Sequence, residues 1–274
     1  MFFRSHTPQP PLSAFLKCIW YSEGFEGTHA QERLLPNGES SIIFDLRERP
    51  VCIYSAEDIR KYETFAPSIF CGARTDCFVI DTCQQLRVIG IQFRPGGAFP
   101  FLGMPASEVA STTYSLDDVW PGEAALIREE LLFAGDVGRM FSILERVLLS
   151  RLKESALLDP AVTFAVKKLG QEGVKVRDLA DRIGLSSRRF MDRFREQTGL
   201  TPKAFQRVRR FQRVLNMLHV RSRDRAEESW AALAADCGYY DQPHFIHDFR
   251  TFSGMTPGEY VAAATPHLNH VPLK

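Results

Sequence analysis

Leu179-Ala180-Asp181-Arg182-Ile183-Gly184-Leu185-Ser186-Ser187-Arg188-Arg189-Phe190-Met191-Asp192-Arg193-Phe194 is answered later in the chain by Leu233-Ala234-Ala235-Asp236-Cys237-Gly238-Tyr239-Tyr240-Asp241-Gln242-Pro243-His244-Phe245-Ile246-His247-Asp248-Phe249. The two stretches are copies of one pattern. Their offset is 54 residues up to the Gly184/Gly238 pair and 55 beyond it, through Gly199 and Thr201-Pro202 against Gly254 and Thr256-Pro257. One extra residue therefore follows the second glycine, where a turn can absorb it.

Each copy has a physical reading. Leu179, Ala180 and Ile183 share one face of a short helix, with Ala180 small enough for a second helix to cross closely. Gly184 ends that helix, glycine being the residue that turns easily into positive φ past a helix C-terminus. Ser186 or Ser187 caps the next helix, which buries Phe190 and Phe194 one turn apart. Ser187, Arg188, Met191, Asp192 and Arg195 are left on its outer face, and Asp241, Gln242, His244, His247 and Arg250 on that of the second copy. Helix, glycine turn and helix with a polar outer face is the layout of a helix-turn-helix, whose second helix enters the major groove. One such pattern is weak, because many helical hairpins share it. Two copies are stronger, joined by an amphipathic helix from about Pro202 to His219 with Phe205, Val208, Phe211, Leu215 and Leu218 at steps of three or four.

Residues 160–264 resemble the DNA-binding domain of the AraC/XylS family of bacterial transcription regulators. The resemblance is carried by Leu179-Ala180 with Gly184, Phe190 and Phe194, by Cys237-Gly238-Tyr239 with Phe245 and Phe249, and by Gly254-Met255-Thr256-Pro257 with Tyr260. Two departures stand out. Arg193 occupies a position that is often apolar in the family, which predicts looser packing of the first recognition helix, and Asp192 places an acid where a base or a DNA contact is common.

Charge is partitioned along the chain. The net charge is +1, yet residues 160–264 carry 18 Lys/Arg against 12 Asp/Glu, and within them 175–213 hold 12 against 4 while 214–264 hold 4 against 7. Phosphate contacts supply most sequence-independent affinity for DNA, so the first motif is expected to provide most of the grip.

At 274 residues the chain has room for two domains. Ordinary hydrophobic and charged fractions, no long apolar run and no secretory pattern at Met1-Phe2-Phe3-Arg4-Ser5-His6 point to a cytoplasmic protein with no membrane partner. The expected fold class is α+β multidomain. The expected division is residues 1–155 as one domain, to which the resemblance given below assigns effector binding or dimerisation, 156–264 as a DNA-binding domain with motifs at about 176–197 and 230–252, and 265–274 as a tail.

Leu16 to Tyr21 is a short apolar segment containing Trp20, and strand-like segments follow at Ser41 to Leu46, Val51 to Tyr54, Phe78 to Ile80 and Leu86 to Phe93, with turn signals at Pro36-Asn37-Gly38 and Arg94-Pro95-Gly96-Gly97. They suggest a barrel or sandwich. Helices over Gly122 to Phe133 and Val137 to Leu152 follow, the second with Met140, Phe141, Leu144, Val147, Leu148 and Leu152 on one side; packing on the strands is preferred over a partner subunit, because a dimer seam needs apolar heptads sustained longer than this. Leu157-Leu158 precedes Asp159-Pro160, an N-cap and first-turn proline that open the DNA-binding domain. This part also resembles a weakly characterised sensor-like domain found ahead of such regulators. The matching residues are His6-Thr7-Pro8, Trp20, Leu35-Pro36-Asn37-Gly38, Phe93-Arg94-Pro95-Gly96-Gly97-Ala98 and Leu116-Asp117-Asp118-Val119-Trp120. The resemblance implies a cupin-like β-barrel with flanking helices that binds an effector or mediates dimerisation. A small effector, RNA polymerase and a second copy of the chain are the further partners it implies beside double-stranded DNA.

No catalytic residue, metal site or cofactor is expected. Cys71, Cys77 and Cys83 are spaced six and six, which on extended chain puts them on one face, but C-x2-C or C-x4-C pairs are missing and buried or incidental thiols are the better reading. Cys237 belongs to a helix-packing position. Arg94-Pro95-Gly96-Gly97 reads as a reverse turn before an anion cradle, and Trp20, Phe44, Phe93, Phe99 and Phe101 as core before a pocket lining. His29, Asp45, Asp81 and Ser41 have no triad spacing, and Asp117-Asp118 and Glu129-Glu130 read as solvated surface. Two functions remain: a sequence-specific DNA-binding transcription regulator, and a cysteine-dependent DNA alkyl-transfer or thiol- or metal-responsive protein with the same DNA-binding domain.

Overall fold

A computed structural model of the chain describes residues 2–25, 29–47, 49–152, 158–171, 174–224 and 229–273. The expected division between residues 155 and 156 lies outside them, as does Leu157.

The N-terminal part begins with β1 (Phe2–His6) and β2 (Leu16–Glu23), then β3 (Gln31–Leu34), β4 (Ser41–Asp45), β5 (Val51–Ser55), β6 (Tyr62–Phe65), β7 (Ser68–Cys71), β8 (Phe78–Asp81) and β9 (Arg87–Phe93). After the short helix α1 (Phe99–Leu102) and a 3-10 turn at Ala106–Glu108 come β10 (Thr113–Ser115), α2 (Leu116–Val119), α3 (Ala124–Phe133) and α4 (Val137–Arg151). The strands make two sheets, in the orders β1-β2-β9-β4-β7-β10 and, with a last strand β11 (His270–Pro272), β11-β3-β8-β5-β6. Every described pairing is antiparallel. The expectation of a barrel is corrected here, since the described strands divide between two open sheets. The physical reason is that each sheet ends in strands paired on one side only, β1 and β10 in one, β6 and β11 in the other.

One face of the first sheet is the main core. Ile19, Tyr21, Ile42, Phe44, Ile89, Ile91 and Phe93 alternate along β2, β4 and β9 and pack against α4 through Met140, Phe141, Leu144, Val147 and Leu148. Phe44, Phe93 and Phe101 are core, while Trp20 covers Gly90 on the other face of the sheet and stacks on Phe3. Asp136 caps α4 by accepting from the Arg139 N–H. The turn at Arg94–Gly97 is structural: Arg94 N–H donates to the Phe15 carbonyl and Gly97 N–H to the Arg94 carbonyl.

The C-terminal part is helical: α5 (Pro160–Leu169), α6 (Val176–Ile183), α7 (Ser187–Thr198), α8 (Pro202–Asp224), α9 (Trp230–Asp236), α10 (Gln242–Ser253) and α11 (Pro257–Ala263). Asp159 caps α5, as its order with Pro160 predicts. The chain then returns to the N-terminal part, because β11 pairs with β3. The tail is thus built into the sheet.

The three spaced cysteines part company. Cys71 ends β7 beside Thr113 and Ser41, Cys77 precedes β8 near Arg33, and Cys83 is exposed in the 3-10 turn after β8. The single face expected on extended chain is lost because turns intervene. No group of three His, Cys, Asp or Glu among the described residues is arranged to hold a metal. His29 contacts Glu32, Asp45 pairs with Arg47 and Asp81 accepts from Tyr54 and Gln31, so these polar groups serve separate local contacts. No described helix is long and apolar enough to cross a membrane.

Candidate nucleic-acid interface

The two copies fold alike. Gly184 and Gly238 both have left-handed φ, of 72° and 73°. Past each glycine the chain turns back on its helix, Leu185 N–H donating to the Ala180 carbonyl and Tyr239 N–H to the Ala234 carbonyl. Leu185 and Tyr239 are therefore equivalent, and the extra residue of the second copy is Tyr240. The turn absorbs it by projecting it outward, 93% exposed. Ser186 and Asp241 then cap α7 and α10, accepting from Arg189 N–H and His244 N–H.

Packing sets which face each helix shows. Phe190 and Phe194 are buried with Leu179, Ala180 and Phe205, while Phe245 and Phe249 are buried with Leu233, Ala234, Phe211 and Tyr260. Cys237 is fully buried, as its packing position predicts. Helix α8 joins the two clusters and outruns its expected end at His219 by reaching Asp224.

Ser187, Arg188, Met191, Asp192 and Arg195 all lie on the exposed side of α7. Arg188 extends into solvent with Asp192 4.0 Å away, an i, i+4 pair too exposed to add much stability. On α10, His244, His247 and Arg250 are exposed and Gln242 is half-buried. The Asp241 side chain is occupied in capping, accepting from the His244 N–H at 2.8 Å. Sequence reasoning passed over Arg189, exposed beside Arg188, although the basic run contained it, and Tyr240, whose signal was the one-residue insertion.

Arg193 answers the expectation of looser packing. Its guanidinium donates to Asp159 at 2.5 Å, tying α7 to the N-cap of α5. An ion pair replaces the apolar contact. Asp248, turned inward from α10 and buried, accepts from Arg207 of α8 at 2.6 Å, and raises the Arg207 pKa through that hydrogen bond. Tyr239 lies below Arg210 and against Phe245, and burial lifts its phenol well above the ordinary range. These contacts fix the angle between α8 and α10.

The basic run of 175–213 is thus divided. Arg193 and Arg207 hold helices together and Arg213 donates to the Gly170 carbonyl, whereas Lys175, Arg177, Arg182, Arg188, Arg189, Arg195 and Lys203 are exposed. These seven exposed cations outnumber the exposed acids Asp178, Asp181, Asp192 and Glu196 around them, a net positive surface that suits a polyanion.

Residues 179–263 match the family model described as "Helix-turn-helix domain", and residues 4–115 match "Domain of unknown function (DUF6597)". No curated protein matches the chain. Among solved structures, a transcriptional regulator with an AraC-type DNA-binding domain from Chromobacterium violaceum is 26% identical, covering 39% of this chain and 96% of its own, with a TM-score of 0.34. The DNA-binding domain of AdpA in complex with a target DNA is 28% identical, covering 38% and 87%, with a TM-score of 0.32. ToxT from Vibrio cholerae O395 is 9% identical over 97% of this chain and 99% of its own, with a TM-score of 0.44.

Proposed function

On the premise that residues 179–263 match a helix-turn-helix domain, we propose that the chain is a sequence-specific transcription regulator of the AraC type whose two recognition helices, α7 and α10, read successive major-groove segments of one duplex. The observation that carries this reading is the pair of motifs with the same glycine turn, cap and phenylalanine core and different outward faces: mostly charged residues on α7, polar and histidine side chains with Arg250 on α10. In the reading, Ser187, Arg188, Met191, Asp192 and Arg195 form the first contact surface and Asp241, Gln242, His244, His247 and Arg250 the second. The two segments lie about one helical turn, ~34 Å, apart on one face of the DNA.

The remaining assignments belong to the same proposal. Residues 1–155 act as the effector-binding or dimerisation unit and 156–264 as the DNA-binding unit. A cleft of about 670 Å³ between them, lined by Lys17, Glu39 and Arg209 and by Met217, Val220 and Leu268, has the size and mixed lining for a small effector. RNA polymerase and a second copy of the chain are its further partners, and its place is the cytoplasm.

A cysteine-dependent alkyl transfer is the weaker reading. A nucleophilic thiol needs a depressed pKa, whereas burial raises those of Cys18, Cys71 and Cys77.

Arg188→Ala is the test of the assigned surface. Against a duplex selected from a randomised library by the full-length chain, it should weaken binding by about 1 to 3 kcal/mol and relax the preference at one base pair. Fluorescence anisotropy with single-base variants of that duplex checks this, and unchanged affinity removes Arg188 from the surface.

A further inference from the structure

The glycines that end the two recognition helices, Gly199 and Gly254, occupy the same place in the repeat, and both are where the N-terminal part touches the DNA-binding part. At Gly199 a Cβ would lie 3.1 Å from the Ala106 carbonyl oxygen and 3.2 Å from the Ala110 side chain. At Gly254 it would lie 2.9 Å from Arg33 Nη1. Both glycines have left-handed φ, of 81° and 69°, so each combines an unusual backbone with a close neighbour.

The two contacts are unequal. Around the first motif, the N-terminal part contributes Ala73 to the cluster of buried side chains and lays the 3-10 turn at Ala106–Glu108 against α7, neither of them part of a strand of the β11-β3-β8-β5-β6 sheet. Around the second it contributes Leu35, and the C-terminal strand contributes Val271, both buried among Phe211, Phe249, Phe252 and Tyr260. Polar bonds lock the same junction. Arg33 Nη1 donates to the Ser253 carbonyl at 2.8 Å, at the last residue of α10. Gln212 of α8 donates to the Pro36 carbonyl and to Asn269 Oδ1, each at 2.8 Å, and Leu35 N–H donates to the Asn269 carbonyl at 2.9 Å. Tyr260 of α11 donates to the Leu268 carbonyl, where the chain turns into β11. Strand β11 then runs along β3, pairing His270 with Leu34, Val271 with Arg33 and Pro272 with Glu32, and His270 Nδ1 lies 2.5 Å from the buried Glu32 carboxylate.

We infer that the second helix-turn-helix is a composite unit, its core completed by Leu35 and Val271 and its recognition helix positioned by Arg33, so that reading of the second DNA segment depends on the β11-β3-β8-β5-β6 sheet while reading of the first does not. Arg33 and β11 are positioning elements, since neither lies on the outer face of α10. The arrangement gives this sheet a one-sided hold: what shifts β3 shifts α10 through a carbonyl bond and two buried side chains, whereas α7 rests on the turn at 106–110, which lies outside that sheet. This inference rests on the regulator reading above.

The test is a footprint resolved by segment. The full-length chain, a chain truncated after Leu268, Arg33→Met and Arg33→Lys are compared on a duplex selected by the full-length chain from a randomised library. Truncation and Arg33→Met should each raise the protein concentration needed to protect the second segment about tenfold or more, with the first segment protected as before. Arg33→Lys, still able to donate to the Ser253 carbonyl, should recover most of the loss. A general loss of stability would weaken both segments together, and that outcome, or full protection of both by the truncated chain, would overturn the inference. Absence of any footprint from the full-length chain would instead bring down the regulator reading beneath it.

Discussion

Phe249→Ala is expected to destabilise the chain by about 3 to 5 kcal/mol. Phe249 is fully buried in α10, and its ring meets those of Phe211 at 5.2 Å, Tyr260 at 5.7 Å and Phe245 at 5.9 Å. Truncation leaves a hole between α8, α10 and α11, three helices that cannot all close on it, so transfer and cavity costs add. Phe133→Ala, at a ring 81% exposed, is the control and should stay within about 0.5 kcal/mol of the parent. Denaturant unfolding of the two full-length variants measures the difference. A loss below about 1 kcal/mol for Phe249→Ala would mean that the second motif is not packed as described.

Gly97→Ala should be as damaging to the N-terminal part, at a cost of about 3 kcal/mol or more. The added methyl would sit 2.0 Å from the Phe15 carbonyl oxygen and 3.0 Å from that of Arg94. Both neighbours are backbone, and each carbonyl already accepts a hydrogen bond of the turn, the Phe15 oxygen from Arg94 N–H and the Arg94 oxygen from Gly97 N–H. Neither can retreat without breaking that turn. Gly103→Ala separates this clash from simple backbone strain, since Gly103 has a φ of 72° with nothing within 4 Å of a built Cβ. It should cost only about 1 kcal/mol. Equal melting temperatures for the two variants would show that the turn yields easily and that Gly97 is not sterically required.

The C-terminal half was legible because its signals are local. Gly184 and Gly238 turn where a left-handed residue is needed, Ser186 and Asp241 cap, and phenylalanines one turn apart point inward, each fixed by its own neighbours in sequence. In the N-terminal half, strand-like runs marked β4, β5, β8 and β9, the last by clean alternation, and β2 read only as a short apolar segment, but the edge strands β1 and β6 escaped because they are exposed on both faces and show no burial rhythm. Strand β3 escaped for another reason: Gln31-Glu32-Arg33-Leu34 reads as polar, and Glu32 is buried only because Gln85 and His270 arrive from distant parts of the chain to join the neighbouring His29. Burial alone would raise the Glu32 pKa, yet these partners bring it below its ordinary 4.5. The same limit hid Arg33 and β11. Pairing across more than two hundred residues leaves no trace in local spacing, so a tail that reads as a loose end is a strand in the sheet. On the interface, outward positions of α7 and α10 followed from the helical period, whereas the inward turn of Asp248 toward Arg207 depended on where α8 crosses.

The central claim is that α7 and α10 together read one duplex. The most direct test is selection of a duplex from a randomised library by the full-length chain, followed by footprinting and by titration at two salt concentrations. The account predicts two protected segments about one helical turn apart on the same face, with affinity falling steeply as salt rises because the exposed cations around α7 release counterions. Failure to enrich any sequence, or binding that ignores salt, would contradict it.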